Sequence, residues 1–478
     1  MAAVLVITGI AALAAAIWTP RGPVSTAEAL VSMGLAVAVG AASGVVLRSR
    51  WSLLLAPAAF VAVFELARLR LDGPTVDAIR LDSFIGAATF VAGRGFQGLL
   101  VLVPMLLGAA YGVEIAARRG RATARPMRRT GWAVTAVLTV AVILLSLLVA
   151  RPASTAPIPG PDGSPEAGSI AELTTVRIGG QEQTLMIRGR STDNPVLLHL
   201  AGGPGGTDIG AMRLDPALED DFVVVTWDQP GTGKSYAAID PVESLTLERM
   251  VSDTLAVTDH LRDRFGQQRV FLTGQSWGTI PSVLALQRHP EKYHAFVGTG
   301  QMVDVAETDR IFYEETLTWA DEQGNAELVA TLREIGPPPY QDLLHYTTII
   351  GSERALYPYP EFDGSTEMPS TIWVTENTFM DRVNAVRGLV DTYAALYPQL
   401  QGLDFRADVR RLDVPVYMVM GEHEARGRVE PARAWFAALE APTKEWVELP
   451  HSSHRASFEQ PQEYAELMRR VARQSLPQ

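Results

Sequence analysis

One stretch of this sequence decides its fold, and it reads Val270-Phe271-Leu272-Thr273-Gly274-Gln275-Ser276-Trp277-Gly278. Apolar, β-prone residues run directly into a Gly-x-Ser-x-Gly pattern, and a helix-like run over residues 279–287 follows. This order predicts a sharp strand-to-helix turn with a nucleophile at its apex. Gly274 and Gly278 leave room for the turn, since a Cβ at either position would meet neighbouring backbone. Ser276 then stands at the positive end of the following helix, where a developing negative charge is favoured.

The sequence on both sides of this stretch alternates between strand and helix patterns. The predicted elements are a hairpin at 174–188, strands at 195–200, 222–227, 414–420 and 445–449, and helices near 247–265 and 461–472. Strands that alternate with helices predict a mostly parallel sheet covered by helices on both faces. Residues 303–400 break this rhythm and look helical, so we expect them to form an inserted cap.

The candidate partners of the serine follow it along the chain. A serine hydroxyl needs a base to take its proton, and the base needs an acid to orient it. After a turn of this kind the acid and then the histidine are expected, each just past a strand. Glu424 is therefore the predicted acid, with Glu422 in reserve. His454 is the predicted base because it follows the last strand, and His451 is the reserve.

Two backbone N–H groups should stabilise the oxyanion. We expect one from Trp277, directly after the nucleophile, and the other from Gly203, in a glycine turn that follows a strand. His423 stands between two glutamates, but no second histidine lies at the spacing of a metal site. We therefore predict neither a metal nor a cofactor. The chain has no cysteine, which excludes disulfides, thiolate catalysis and Cys-based metal sites.

The first 150 residues contain five apolar runs that approach or reach bilayer-spanning length. They are residues 3–18, 29–47, 51–67, 98–116 and 132–150. We predict about five transmembrane helices here. Gly40 and Gly44 form a small-xxx-small pair, which either lets two helices approach closely or is ordinary in an Ala-rich span.

Arginines in the loops predict the orientation of this region. The loop after the second run carries Arg48 and Arg50. The loop after the fourth run carries Arg118, Arg119, Arg121, Arg125, Arg128 and Arg129. Positive loops stay in the cytoplasm, and both loops lie there only if the amino terminus is cytoplasmic. We therefore expect a multi-pass membrane protein whose chain after residue 150 lies on the extracytoplasmic side.

Charge divides the chain in the same way. Residues 1–150 have 13 Arg, no Lys and 6 acids, a net charge of +7, and the remainder has −19, which gives −12 for the whole chain. The acidic half argues against nucleic-acid binding. Residues 151–169 are rich in Pro, Gly and Ser, which is typical of an extended tether. The predicted organisation is a membrane region at 1–150, a tether at 151–169 and a catalytic domain at 170–478.

Four motifs together resemble the prolyl aminopeptidase-like branch of the α/β-hydrolases. They are Gly202-Gly203-Pro204-Gly205, Asp228-Gln229-Pro230-Gly231-Thr232-Gly233-Lys234-Ser235, Gly274-Gln275-Ser276-Trp277-Gly278, and Ser453-His454 with Phe458-Glu459-Gln460-Pro461. The resemblance covers roughly residues 170–475 and none of the membrane region. This chain departs from the family pattern at three positions: Ala201 replaces a histidine, Pro230 replaces an arginine, and Glu424 replaces the usual aspartate.

The resemblance implies an α/β-hydrolase fold and hydrolysis of an ester or amide through an acyl-serine intermediate. One such reaction is the removal of an amino-terminal residue from a small peptide. In that family, acids of the cap bind the free amino group of the substrate. The cap acids available here are Glu314, Glu315, Asp321 and Glu322, of which Glu314 and Glu315 are the candidates, although a solvated helix face explains all four equally well.

Two alternatives stay open. A lipid or small-ester hydrolase would suit a position close to a membrane. A membrane sensing or transport protein with a non-catalytic, hydrolase-like binding domain belongs to another class, and labelling by an active-serine probe separates it from the enzymes. The expected partners are a small-molecule or peptide substrate and the lipid bilayer, without nucleic acid.

Overall fold

The structure, a computed structural model, describes residues 1–476 except 78, 82, 120–126, 341 and 369. The chain forms two units. The first unit consists of Met1–Ala153 together with Thr378–Arg387, and the second of Ser154–Asn377 together with Gly388–Gln478. Each unit therefore contains two separate pieces of the chain.

The first unit is built from apolar helices. They are α1 (Ala2–Trp18), α2 (Thr26–Leu47), α3 (Ser52–Ala67), α4 (Phe84–Phe90), α5 (Phe96–Arg118) and α6 (Arg129–Ala150), with a π-helical turn at Val91–Gly95 between α4 and α5. Among the described residues, three helical stretches are long and apolar enough to cross a membrane, namely Thr26–Leu47, Phe84–Arg118 and Arg129–Ala150. The membrane region predicted from sequence is thus helical and apolar.

The helices α1 and α3 are apolar but shorter, at 17 and 16 residues. At 1.5 Å per residue each is about 25 Å long, less than the ~30 Å hydrocarbon core of a bilayer. All five apolar runs are therefore helical, while the count of five spans stays a prediction. In the arginine-rich loop between α5 and α6, Arg121 and Arg125 lie outside the described residues.

Small residues let α2 and α5 pack with backbone against backbone. A Cβ on Gly40 would lie 2.0 Å from a carbonyl oxygen of α5, and a Cβ on Gly108 would lie 2.0 Å from a carbonyl oxygen of α2. One turn further on, a Cβ on Gly44 would lie 2.4 Å, and a Cβ on Gly112 2.2 Å, from a carbonyl oxygen of the facing helix. The small-xxx-small pair of α2 therefore lies in a helix–helix contact within the unit, rather than merely adding to the Ala-rich composition.

The second unit contains one eight-stranded sheet. Its strands are β1 (Ile170–Ile178), β2 (Gln181–Gly189), β3 (Val196–Leu200), β4 (Val223–Trp227), β5 (Val270–Gln275), β6 (Tyr293–Thr299), β7 (Val416–Gly421) and β8 (Lys444–Leu449). Their order across the sheet is β1-β2-β4-β3-β5-β6-β7-β8. The strands β1 and β2 form an antiparallel hairpin, β2 pairs antiparallel with β4, and all other neighbours are parallel.

The central strands have no polar face because helices cover both sides of the sheet. Every residue of β3, β4 and β5 is buried, and the sequences of β3 and β4 are apolar except for one residue in each. Parallel strands of this kind end at one common edge. The residues that follow β3, β5, β7 and β8 are therefore brought together at that edge, where ligands bind in open α/β sheets.

The helices of the second unit lie between and after these strands. They are α7 (Ile209–Leu214), α8 (Leu247–Phe265), α9 (Thr279–Arg288), α10 (Val305–Glu322), α11 (Ala326–Ile335), α12 (Leu343–Ile350), α13 (Glu353–Leu356), α14 (Phe379–Leu396), α15 (Phe405–Asp408), α16 (Arg426–Ala438), α17 (Ala456–Glu459) and α18 (Pro461–Ser475). The inserted cap predicted at residues 303–400 corresponds to α10–α14 between β6 and β7. The exact domain boundaries stay a prediction.

The helix α14 contributes to both units, because the boundary at Arg387 falls within it. Arg387 is fully buried in the first unit, where its Nε donates to Ala92 O at 2.9 Å and its Nη1 to Pro23 O at 2.8 Å. Asn384, one turn earlier, donates to Val24 O at 2.7 Å. A buried guanidinium needs such acceptors, so these carbonyl groups fix the first half of α14 within the first unit.

Candidate active site

The predicted strand-to-helix turn is present around Ser276. The strand β5 ends at Gln275, Ser276 has a φ of +52°, and α9 begins at Thr279. A positive φ is uncommon for a residue with a Cβ and marks a strained position. A Cβ on Gly274 would lie 2.6 Å from the carbonyl oxygen of Gly278, so only glycine allows this turn.

Glu424 and His454 follow neighbouring strands and meet. In the β7–β8 register Gly421 lies opposite Leu449, so the segments after both strands start side by side. His454 Nδ1 donates to Glu424 Oε2 at 2.7 Å. This contact occupies Nδ1, so Nε2 is the ring nitrogen left to accept a proton, and the orientation of the ring is fixed.

The surroundings of this pair set its charges. Burial lowers the pKa of the His454 imidazole, and the nearby Arg428 acts in the same direction, so the ring is neutral and able to accept a proton. Burial raises the pKa of the Glu424 carboxyl, while the backbone N–H of Ala425 opposes that shift. Arg428 Nε donates to Glu424 Oε1 at 2.7 Å and supplies the opposite charge for the buried carboxylate.

The glycine turn after β3 approaches the nucleophile. Gly203 has a φ of +131°, and a Cβ there would lie 2.5 Å from the backbone nitrogen of Gly205. Gly203 and Trp277, the two predicted oxyanion donors, line the same cavity as Ser276. The missing side chain at Gly203 therefore allows this tight turn to form at the wall of the cavity that contains the serine.

The side chain of Gln229 supports this arrangement, and the sequence analysis did not assign it a role. Its Nε2 donates to Ala201 O at 3.2 Å, and its Oε1 accepts from Trp277 Nε1 at 3.1 Å. Gln229 is buried and joins the glycine turn to the residue after the nucleophile. The sequence signal that could have identified Gln229 was its position just after β4, within one of the four motifs.

A second buried contact joins the glycine turn to the loop of His454. Asp208, which follows that turn, accepts from His199 Nε2 at 2.9 Å and from Arg455 Nη2 at 3.0 Å. All three side chains are largely withdrawn from solvent. The segments that carry the candidate base and one candidate oxyanion donor are therefore tied together.

A cavity of about 780 Å³ opens above the serine and lies within the second unit. One side of it is formed by Gly203, Ser276, Trp277 and His454, at the sheet edge. The opposite side comes from the inserted helices and includes Asp309, Tyr346, Ile350, Glu353, Tyr357, Leu389, Tyr393, Tyr397 and Leu400. Its size suits a ligand of a few residues or a drug-sized molecule.

The reserve residues lie outside the Glu424–His454 contact. His451 is 60% exposed, has a φ of +55°, and lies 3.4 Å from Glu361. Glu422 accepts from the backbone N–H of His451 at 3.3 Å. His423 lines the cavity, where its ring stacks on Tyr359. Within the described ranges, no group of three or more His, Cys, Asp or Glu residues is arranged to hold a metal ion.

The acids predicted to bind a substrate amine do not line the cavity. Glu314 pairs with Arg310 on the surface of α10, and Glu315 pairs with Arg426 at 2.6 Å. Asp309, on the same helix, does line the cavity and is only 2% exposed. Tyr397 donates to Asp309 Oδ2 at 2.6 Å. Sequence reasoning missed Asp309 because nothing in its neighbours distinguishes it from a surface carboxylate.

The sheet, the strained serine and the glutamate–histidine contact define an α/β-hydrolase. The sequence profile described as alpha/beta hydrolase fold matches residues 195–461, more than half of the chain, and the chain belongs to this family. The chain is accordingly a hydrolase, and the fold class predicted from its sequence is confirmed.

Individual proteins that are similar to this chain indicate a branch of the family. The chain is 30% identical over 316 residues to the Bacillus subtilis (strain 168) protein named "Probable aminopeptidase YbaC", a match that covers 65% of this chain and 99% of that protein. It is 34% identical over 113 residues to the proline iminopeptidase of Lactobacillus crispatus (strain ST1), covering 23% of this chain and 37% of that one. The structure of a proline iminopeptidase-related protein from Thermus thermophilus superposes with a TM-score of 0.45, at 21% identity, over 64% of this chain and 99% of that one. The resemblance to the prolyl aminopeptidase-like branch is confirmed.

Proposed function

We propose that this hydrolase is a membrane-anchored serine aminopeptidase. The observation that carries the proposal is the presence of Ser276, His454 and the buried acid Asp309 in one cavity. The first two residues provide covalent catalysis. Asp309 provides a negative charge for the amino terminus of a peptide, and the aminopeptidase names of the relatives agree with this substrate class.

The reaction uses the serine as nucleophile. His454 Nε2 takes the proton of the Ser276 hydroxyl while its oxygen attacks the substrate carbonyl. Glu424 holds the imidazole by Nδ1 and stabilises the imidazolium. The N–H groups of Trp277 and Gly203 receive the oxyanion. The imidazolium then gives its proton to the leaving amine, and an acyl-serine ester is left. Water, deprotonated by the same histidine, hydrolyses that ester and restores the enzyme.

Asp309 is the proposed site for the substrate ammonium group. It is held by Tyr397, and two further aromatic rings, Tyr346 and Tyr393, line the cavity close to Tyr397. Aromatic faces and a buried carboxylate together attract a cation. An ammonium group bound there would leave the adjoining carbonyl available to the serine.

We expect Asp309→Asn to raise KM for alanyl p-nitroanilide by about 10- to 100-fold, the loss of one charge-assisted hydrogen bond. Burial raises the pKa of Asp309 to about 7. The wild-type carboxyl therefore becomes protonated as pH falls below that value, and wild-type KM should rise in the same direction. In the variant this pH dependence of KM should disappear. Steady-state kinetics of the full-length protein in detergent, from about pH 5.5 to 8.5, measure both effects.

Glu314→Gln is the matched control, because Glu314 lies on the same helix but is exposed and outside the cavity. Its kinetics should equal those of the wild type. N-acetyl-alanyl p-nitroanilide should be a poor substrate for all three proteins. If the acetylated compound is cleaved as fast as the free amine, the aminopeptidase assignment fails and the esterase alternative gains support.

We further propose that the apolar helices span a membrane, with the amino terminus in the cytoplasm and the hydrolase unit outside. Three helices of sufficient length support a membrane location. The arginines at 48–50 and 118–129 support the orientation, because six positive charges in one loop make its translocation costly. The substrate would then be an extracytoplasmic peptide.

The absence of native cysteine makes the orientation directly testable. Ser49→Cys places a thiol after α2, and Ser164→Cys places one in the 151–169 segment. A membrane-impermeant maleimide added to intact cells should modify the thiol at 164 and spare the thiol at 49 until the membrane is opened. The reverse pattern would show that the hydrolase unit faces the cytoplasm.

A further inference from the structure

One buried arginine touches the candidate triad and a helix of the inserted region at once. Arg428 lies in the first turn of α16, four residues after Glu424, and its side chain is 4% exposed. Its Nε donates to Glu424 Oε1 at 2.7 Å, while Glu424 Oε2 accepts from His454 at 2.7 Å. The two oxygens of one carboxylate are therefore divided between the base and the arginine.

The other end of the same guanidinium is ion-paired with Glu353, on α13. Glu353 lines the cavity, and its side chain is largely buried. The guanidinium also lies over the ring of Phe312, with its central carbon 5.0 Å from the ring centroid. One positive charge is thus shared between the acid of the triad and a carboxylate of the cavity wall.

We propose that Arg428 is a positioning residue whose charge, shared with Glu353, sets the proton affinity of the Glu424–His454 pair. The proposal rests on the serine mechanism given above. Arg428 holds Glu424 in place against His454. Glu353 draws part of the positive charge away from the pair, so the position of α13 affects how readily His454 accepts the proton of Ser276.

The charge balance gives the sign of each effect. The Glu424–His454 pair carries one negative charge when it is ready to act, and it becomes neutral when it takes up one proton, wherever that proton resides. Removing the positive charge of Arg428 raises the proton affinity of the pair. Removing the negative charge of Glu353 lowers it. Other groups face the pair and its arginine, and they are unchanged in both variants: Arg455, Glu367 and Glu459 around His454, and Asp309 and Tyr346 around Arg428.

The test measures the rate at which a fluorophosphonate probe labels the full-length protein between about pH 4.5 and 9. Labelling requires the unprotonated pair, so it declines as the pair takes up its proton. With Arg428→Met this decline should move to higher pH by about 1 unit, and with Glu353→Gln to lower pH by up to about 1 unit. A merely structural role would reduce labelling in both variants without displacing the two profiles in opposite directions.

Two further variants keep the test decisive. Arg428→Lys retains the charge but loses the planar fork, so its profile should keep the wild-type midpoint while its maximal rate falls about tenfold. Arg433→Met is the control, since Arg433 lies on the same helix, is 57% exposed and pairs only with surface Glu448 among the described ion pairs. It should behave as wild type.

The outcomes separate the role of Arg428 from the serine mechanism. If Arg428→Met does not fold, Glu353→Gln and Arg428→Lys decide alone, by a lowered and an unchanged midpoint respectively. If the wild type is labelled at Ser276 and the midpoints of Arg428→Met and Glu353→Gln coincide or move together, the role of Arg428 is overturned. If the wild type is not labelled at Ser276, the serine mechanism itself fails. This result differs from the one that overturns only the role of Arg428, in which the wild type is labelled.

Discussion

Ser276→Ala is expected to abolish both amide hydrolysis and fluorophosphonate labelling. In the proposed mechanism no acyl-enzyme forms without this hydroxyl, and only binding and oxyanion effects are left, so kcat/KM should fall by about 10⁴-fold or more. The protein should still fold, because the positive φ of residue 276 is imposed by the surrounding turn. Loss of labelling is measured on the full-length protein by mass spectrometry of the labelled peptide. Retained folding is measured by a thermal melt.

Ser282→Ala is the matched control for this change. Ser282 lies in α9, one turn beyond the elbow, and its hydroxyl donates to Gly278 O at 2.7 Å. It does not line the cavity, so its loss should leave labelling unchanged. Full labelling of Ser276→Ala would mean that another residue is the nucleophile, whatever the outcome for Ser282.

His454→Ala should be almost as damaging as the serine change, whereas His451→Ala should be mild. His454 contacts Glu424 and lines the cavity, and in the proposed mechanism its removal leaves Ser276 without a base. His451 is exposed, and its side chain contacts Glu361 rather than the pair. We expect a loss of several orders of magnitude in kcat for the first variant and less than about threefold for the second.

The same labelling assay distinguishes the two histidines. If labelling is lost in His451→Ala and retained in His454→Ala, the base is His451 and not His454. That result would also contradict the observed geometry, in which only one of the two rings contacts a buried carboxylate. Thermal melts of both variants show whether a loss of labelling has a trivial origin in unfolding.

The elbow and the order of the candidate triad were predictable because they follow from local rules. Gly274 and Gly278 flank Ser276. A Cβ on Gly274 would collide with the backbone of Gly278 within the turn, whereas a Cβ on Gly278 would collide with the backbone of Leu200 on β3. Glu424 and His454 were found by position alone, each in the first loop after a strand. Parallel strands bring such loops to a common edge, so sequence order predicted that the two loops meet, while the reserves Glu422 and His451 in the same loops stayed open.

The cavity wall was not predictable in the same way. Asp309 and Glu314 both lie on α10, but five residues place them about 140° apart around a helix, so one faces the cavity and the other faces solvent. Which face is inward depends on how α10 packs against segments far away in the sequence. Arg428 is similar, since its partner Glu353 is 75 residues distant.

In the first unit the five apolar runs of the sequence are all helical, because hydrophobic runs are a property of composition, whereas the short helix α4 was not among them. The sequence left open what Gly40 and Gly44 do, since the glycines of the facing helix, Gly108 and Gly112, are far along the chain. Close backbone contact needs small residues on both helices. Only the structure shows that the two pairs meet.

The path of the chain between its two units has a consequence for how the protein can be dissected. The chain passes from one unit to the other three times, after residues 153, 377 and 387. A cut in the 151–169 segment severs only the first crossing, and the downstream fragment still holds the first half of α14. Expressed alone, residues 170–478 would present Arg387 without its acceptors Pro23 and Ala92. The two units therefore share the helix α14, and the whole chain is the natural object for assay.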